Sequence, residues 1–341
     1  MRIIIYGAGA IGSVLGGHLF RNGYSVVLLG NADHMEVIRS RGLKLVTADE
    51  TFHLRIPAGK NAEDLAPFTN EDIVMLCAKS QHTVKCLGEL KNAGAPNTLP
   101  IFCCQNSIWN EPIATRVFDR IYGAMLFVDA IFLSSGEVVN PIQTRYGFIE
   151  VGRYPNGSDA LCEDVAQVLS RSGFSTIVND KVMKSKSAKC LLNLSNALHA
   201  VTDGKGDLEA FGRELRREAI QVWSSAGIEW ENLESFKKRC HENTGTLKLP
   251  SGYEHFSRQA SVSSWQSLAR GTGSIEAAQL NGDVVELGYL LGIPTPYNEL
   301  LWHTAESMAS KREKPGKYTV DDLTAAVQQR IVRKENRVEK L

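Results

Sequence analysis

Residues 2–13 read RIIIYGAGAIGS, a β-branched run that stops at a glycine-rich turn and continues as the amphipathic stretch SVLGGHLFRNG, itself closed by glycine. The segment is strand, tight turn and helix. Gly7, Gly9 and Gly12 fall at G-x-G-x-x-G spacing, with Ala10 and Ile11 in the same turn. In that pattern the first glycine permits the sharp turn, the second lets backbone approach a pyrophosphate, and the third lets helix pack on strand. Phosphate oxygens then rest on free N–H groups at the positive end of the helix. By itself the spacing is a weak signal. Between a strand and a helix it points to a bound dinucleotide, against the plainer reading of a glycine turn without a cofactor.

A second strand, GYSVVLLG, and the helix-like MEVIRSRGL follow, leading to weaker strands at LKLVT and FHLRI. Further apolar runs at DIVMLCAK, TLPIFCCQN, GAMLFVDAIF, GFIEVGRY and FSTIV alternate with helical or polar segments such as SQHTVKCLGELK and SDALCEDVAQVLSRSG. The alternation predicts an open, doubly wound α/β sheet over residues 1–180. Beyond it strand-like runs vanish, and helices are expected at 183–201, 207–226, 231–241, 276–292 and from Thr319, giving an all-helical domain over 181–341. The charged end, QRIVRKENRVEKL, reads as a solvated helix or frayed tail, and an exposed helix there is compatible with a homodimer.

Composition removes several classes of function. With 38 basic and 38 acidic residues there is no net field to draw the chain to nucleic acid or an anionic membrane. The 7 cysteines form neither a disulfide framework nor a CxxC metal pattern, and no run is apolar enough to span a bilayer. A strand starting within two residues of Met1 leaves no room for a signal peptide, so a cytoplasmic protein acting on a small molecule is expected, with no metal ligand set.

Candidate site residues emerge in four further places. The stretch AKCLLNLSNALHA, 188–200, puts Lys189, Asn193 and Asn196 within roughly 60° of one another on a helix, with Leu191, Leu194 and Leu198 opposite. Asparagine lowers helix propensity, and a merely solvated face favours Glu, Lys and Gln, so two asparagines beside one lysine suggest oriented hydrogen bonds in a sheltered site. Glu276 heads a helical stripe through Leu280, Leu287 and Leu291; an ordinary first-turn glutamate is the competing reading. Lys79 and Asn106 stand at strand C-termini, where open α/β sheets bind ligands. At the end of the second strand, LLGNADH offers Asn31 in place of the acidic residue that marks NAD or the arginine that marks NADP. Asn31 could meet a ribose hydroxyl or a phosphate.

Taken together, GAGAIGS, CAKSQHT, CQNSIWNE, the K-x-x-x-N of Lys189 and Asn193, and SSWQSLARGTGSIEAAQLNG resemble the ketopantoate reductase (2-dehydropantoate 2-reductase) family across nearly the whole chain. The resemblance implies a Rossmann domain followed by a 6-phosphogluconate-dehydrogenase-like helical domain, and reduction of a 2-oxo acid by NADPH, or NADH, in pantothenate biosynthesis. It implies that Lys189 is the general acid, and that Asn193 and Ser264 bind substrate, with Asn196 standing in for a family asparagine at the position of Ala197. Lys79, Asn106 and Ala130 would line the cofactor site, and Glu276 would organise the substrate and nicotinamide ribose. The chain departs from the family pattern at Ser107, where glycine is usual, at Asn31, where arginine is frequent, and in a long 203–262 segment. Related readings are a reductase for another branched 2-oxo acid, an opine-type dehydrogenase, and a non-catalytic nicotinamide-binding regulator.

Overall fold

The computed structural model describes residues 1–254 and 262–338. In its first strand, β1 (Arg2–Tyr6), Ile3 and Ile5 join one hydrophobic cluster and Ile4 and Tyr6 another, so alternate side chains serve opposite faces. A strand buried on both faces belongs inside a sheet covered on both sides. The chain continues through α1 (Ala10–Arg21), β2 (Ser25–Leu29), α2 (Ala32–Arg41), β3 (Leu43–Thr47), β4 (Thr51–Leu54), β5 (Asp72–Leu76) and α3 (Thr83–Asn92). Next come β6 (Ile101–Cys103), α4 (Asn110–Ala114), β7 (Ile121–Phe127), β8 (Glu137–Asn140), β9 (Ile142–Gln143), β10 (Phe148–Arg153), α5 (Ala160–Arg171) and β11 (Ser175–Val178). Helices then dominate: α6 (Val182–Asn193), α7 (Asn196–Val201), α8 (Leu208–Ala226) and α9 (Leu233–Asn243) precede the short β12 (Thr246–Leu247). The last four are α10 (Ser263–Ala269), α11 (Asp283–Leu290), α12 (Pro296–Ser310) and α13 (Val320–Val338).

The central sheet runs β11-β10-β7-β6-β5-β1-β2. Strands β2, β1, β5, β6 and β7 are mutually parallel, β10 is antiparallel to β7, and β11 returns parallel to β10. Strand order reverses at β1, the switch point at which doubly wound sheets open a crevice for ligands. The weak strands LKLVT and FHLRI do not extend this sheet. They pair antiparallel as β3 and β4, and β8 adds parallel to β3, in a separate three-stranded sheet.

Two compact units divide the chain: Met1–Lys189 with Trp230–Phe256, and Cys190–Glu229 with Ser257–Leu341. The sequence suggests a single cut near residue 180, whereas the first unit takes back a later segment, and hydrogen bonds explain why. Arg239 on α9 donates through Nε and Nη2 to the fully buried Glu150 of β10 (2.9 and 2.8 Å), and it also pairs with Glu231. Asn179 adds a third donor to Glu150 at 2.5 Å. Strand β12 pairs antiparallel with β9, so the region read as purely helical contains one strand. Lys248 reaches Asp49 at 2.9 Å, and Tyr253 donates to Glu137 at 2.8 Å. The long 203–262 segment is thus partly an excursion that docks on the α/β unit.

In the second unit α12 packs against α7, α8 and α13. Local signals fix helix ends: the Asp207 carboxylate accepts from Ala210 N at 2.9 Å to start α8, and Gly227, at φ +69°, ends it. All seven cysteines are free, and no described helix is long and apolar enough to cross a membrane.

Candidate active site

The glycine turn has the geometry its spacing suggests. Gly7 lies at φ +106°, and a Cβ there would meet Ala78 N at 2.1 Å, so the end of β1 rests directly on the backbone leading to Lys79. Gly7 N and Ala8 N donate to Leu29 O (2.9 and 2.7 Å), while Cys77 N and Ala78 N donate to Tyr6 O (2.7 and 3.0 Å), tying the ends of β2, β1 and β5 together. At Gly12 a Cβ would lie 2.3 Å from Gly7 O, whereas at Gly9 it would meet nothing within 4 Å. Helix α1 has no side-chain cap and no acidic residue in its first turn, which contains Ala10 and Ile11. Open space over Gly9, beside an uncapped helix start, fits the pyrophosphate of a dinucleotide.

At the end of β2, Asn31 is exposed and acts as the N-cap of α2, its Oδ1 accepting from Asp33 N at 3.0 Å. The amide left over is neutral, and no arginine stands at this corner of the sequence. The neighbouring His34 is a packing residue: it is buried, its Nδ1 accepts from Gly136 N at 2.8 Å, and its Nε2 lies 3.1 Å from Ser13 Oγ. Acceptance at Nδ1 puts the proton of the neutral ring on Nε2.

Lys79, Asn106 and Ala130 follow β5, β6 and β7, parallel strands whose carboxyl ends share one edge of the sheet. Lys79 and Asn106 are partly buried and Ala130 is buried. A chain of buried polar groups braces the two loops. Gln105 Nε2 donates to Thr83 Oγ1 (2.9 Å), which donates to Asn110 Oδ1 (2.7 Å), and Asn110 Nδ2 reaches Ser80 Oγ (3.2 Å) and Ser107 O (3.0 Å). Ser80 adjoins Lys79, and Gln105 and Ser107 flank Asn106, so the network sets the spacing of the two. Sequence reading singles out neither Thr83 nor Asn110. Ser107, the departure from glycine, uses its hydroxyl to accept from Trp109 N at 3.2 Å, a local turn that helps start α4.

Helix α6, whose residues up to Lys189 belong to the first unit, places two lysines on carbonyls of the sheet. Lys186, buried and not anticipated, donates to Cys103 O at 2.7 Å and pairs with Glu111. Burial pushes the Glu111 carboxyl above its ordinary range, against the pull of the Lys186 charge. Lys189, three residues on and partly buried, donates from Nζ to Leu126 O near the carboxyl end of β7. The glycine turn, Lys79, Asn106, Ala130 and Lys189 therefore share one sheet edge.

The expected helix over 183–201 is broken. It ends at Asn193 and restarts at Asn196, with Ser195 N bonded to Leu192 O at 3.4 Å across the turn. Asn193 and Asn196 thus belong to two helices and not to one continuous face; both are partly buried. Leu194 O accepts from Asn281 Nδ2 at 3.1 Å, a side chain that holds the break.

Ser264 is buried in the first turn of α10, and Glu276 is partly buried. Glu276 precedes, and does not head, the next helix, because residues 278–282 form a π turn, with Gly282 N bonded to Ala277 O at 2.9 Å, ahead of α11. One added residue per turn rotates everything downstream. The buried positions after it are Val284 and Gly288, while Leu291 of the expected stripe is 41% exposed.

A doubly wound sheet with an open glycine turn at its switch point, followed by a helical unit, defines the Rossmann-type nucleotide-dependent class of α/β proteins. The family model described as Ketopantoate reductase PanE/ApbA matches residues 3–156, and its C-terminal counterpart matches residues 181–309. The chain belongs to the ketopantoate reductase family, pyridine-nucleotide-dependent oxidoreductases that reduce 2-oxo acids. A 2-dehydropantoate 2-reductase of Pyrococcus horikoshii is 26% identical over 318 residues, covering 91% of this chain and 98% of the relative. A solved PanE/ApbA family ketopantoate reductase from Ralstonia eutropha JMP134 is 25% identical at a TM-score of 0.74, covering 92% of this chain and 99% of that one. A D-mandelate dehydrogenase solved with NADH and anilino(oxo)acetate shares the fold at 21% identity and a TM-score of 0.74, covering 92% of this chain and 99% of its own.

Proposed function

We propose that the protein reduces 2-dehydropantoate to pantoate, a step of pantothenate biosynthesis in the cytoplasm, with Lys189 as the general acid. NADPH is the proposed reductant on the family resemblance, and NADH is the competitor because neutral Asn31 offers no charge to pair with a 2′-phosphate. The observation that carries the reading is the bond from Lys189 Nζ to Leu126 O, at the same sheet edge as the glycine turn. In this reading Gly7, Gly9, Ala10, Ile11, Gly12, Asn31, Lys79, Asn106 and Ala130 hold the dinucleotide. The bound reduced nicotinamide supplies the hydride.

A ketone that gains hydride at carbon develops negative charge at oxygen. The Lys189 ammonium stabilises that charge and delivers the proton that completes the hydroxyl. Asn193, Asn196 and Ser264 orient the 2-oxo acid through neutral donors and acceptors, adding no charge that would hold the product. Glu276 organises the substrate and ribose region.

The test assays NADPH and NADH oxidation in parallel against a panel of 2-oxo acids that includes 2-dehydropantoate, for the wild type and Lys189→Ala. The substitution is expected to lower turnover at least ~100-fold with nicotinamide binding retained. Unchanged turnover removes Lys189 from its role, and preference for another branched 2-oxo acid reassigns the substrate.

A further inference from the structure

We infer that Asn281 is a positioning residue for the substrate, acting through the break that separates Asn193 from Asn196; the inference rests on the role proposed above for those two asparagines. In an unbroken helix, positions three apart lie about 60° from one another around the axis. Here the helix stops at Asn193 and a new one starts at Asn196, so the turn at Leu194 and Ser195 sets the directions in which the two amides point. The carbonyl in that turn is the acceptor for Asn281 Nδ2 at 3.1 Å.

Asn281 is itself locked from behind. Its Nδ2 also donates to Asn298 Oδ1 (3.0 Å), and Asn298 Nδ2 donates to Leu215 O (3.0 Å) and Glu218 Oε2 (2.8 Å). Glu218 closes the relay by accepting from the N–H groups of Tyr297 and Asn298 (2.9 and 3.0 Å) in the first turn of α12. Asn281, Asn298 and Glu218 are all at most 1% exposed. Both bonds of Asn281 are made by its Nδ2, whereas its Oδ1 is buried with no partner among the described residues, so the donor side alone fixes the amide between Leu194 O and Asn298 Oδ1. Asn281 comes from the π turn, the same irregularity that displaces Glu276 from the helix start. One buried amide therefore ties the Glu276 turn to the asparagine pair, and a fault in it changes substrate fit while leaving the glycine turn of the other unit intact.

The test compares the wild type with Asn281→Ala and with Leu301→Ala, a substitution of a fully buried core residue of the same unit outside the relay. KM and kcat for the 2-oxo acid that the wild type reduces, Kd for NADPH, and Tm are measured for each. Asn281→Ala is expected to raise KM at least ~10-fold with a smaller change in kcat and NADPH Kd within about twofold, while Leu301→Ala lowers Tm with KM within about twofold. If Asn281→Ala does not fold, Asn281→Asp, which keeps the volume but lacks the donor to Leu194 O, is read in the same way. The inference is overturned if the Asn281 variant loses Tm with KM unchanged, or if Leu301→Ala raises KM equally. A wild type that reduces no 2-oxo acid overturns the functional reading itself, and this inference falls with it.

Discussion

His18 shows how a single side chain couples the α/β unit to pH. It is fully buried on α1, stacked on Tyr146 at 3.8 Å and edge-on to Phe174, with Nε2 3.3 Å from Asn140 Oδ1. Burial, reinforced by the charge of Arg21, lowers its pKa from 6.5 to about 3. The folded ring stays neutral to about pH 3, whereas the unfolded ring takes up a proton below about 6.5. Between those values the unfolded state binds more protons, so stability falls as pH falls, by up to ~1.4 kcal/mol per pH unit, and this contribution is flat above 6.5. Urea unfolding of His18→Gln and wild type from pH 7 to 4 is expected to show a shallower acid loss in the variant. Parallel slopes would mean that His18 is not the group responsible. Sequence reading passes over this histidine because its neighbours come from distant segments.

At the scale of an element, the strand–turn–helix at the N-terminus separates two jobs that three glycines appear to share in sequence. Gly7 serves the fold, since its positive φ and the approach of Ala78 N leave no room for a methyl group. Gly9 is not needed by the fold in this way, since a methyl there meets no protein atom, and it is the glycine proposed to face the dinucleotide. Gly7→Ala is expected to destabilise the protein by roughly 1–3 kcal/mol. Gly9→Ala is expected to leave Tm near that of the wild type while weakening nicotinamide nucleotide binding at least ~10-fold by fluorescence titration. Equal losses of stability in the two variants would contradict the division. The α6–α7 break and the π turn are the opposite case, because they are joined by Asn281, which lies in the π turn and donates to Leu194 O, 87 positions earlier in the chain.

Across the whole molecule, the order of the chain and the order of its packing diverge. The chain leaves the first unit after Lys189, builds α7 and α8 in the second, and returns at Trp230 to dock α9 and β12 before leaving again. Arg239 holds the returning segment by its pairing with Glu150, a carboxylate at 0% exposure. Arg239→Ala leaves that carboxylate without its guanidinium, and an expected loss of roughly 2–4 kcal/mol in urea unfolding follows. Hydrogen exchange in residues 233–243 should accelerate ahead of the central sheet. An α9 as protected as in the wild type would show that other contacts hold it.

The sequence by itself determined the parallel core, the glycine turn and the residues at the strand ends. Those features rest on short-range rules: alternation along a strand, glycine at a turn, and the shared direction of parallel strands. The helix starts at Asp207 and Thr319 were legible for the same reason, because the capping residue and the N–H it accepts from are near neighbours in the chain. Tertiary structure alone decided where helix 183–201 breaks, which face of α11 is buried, that Lys186 pairs with Glu111, and that residues 230–254 return to the first unit. Each of these turns on a buried polar group whose partner is remote in sequence, and periodicity carries no information about such a partner.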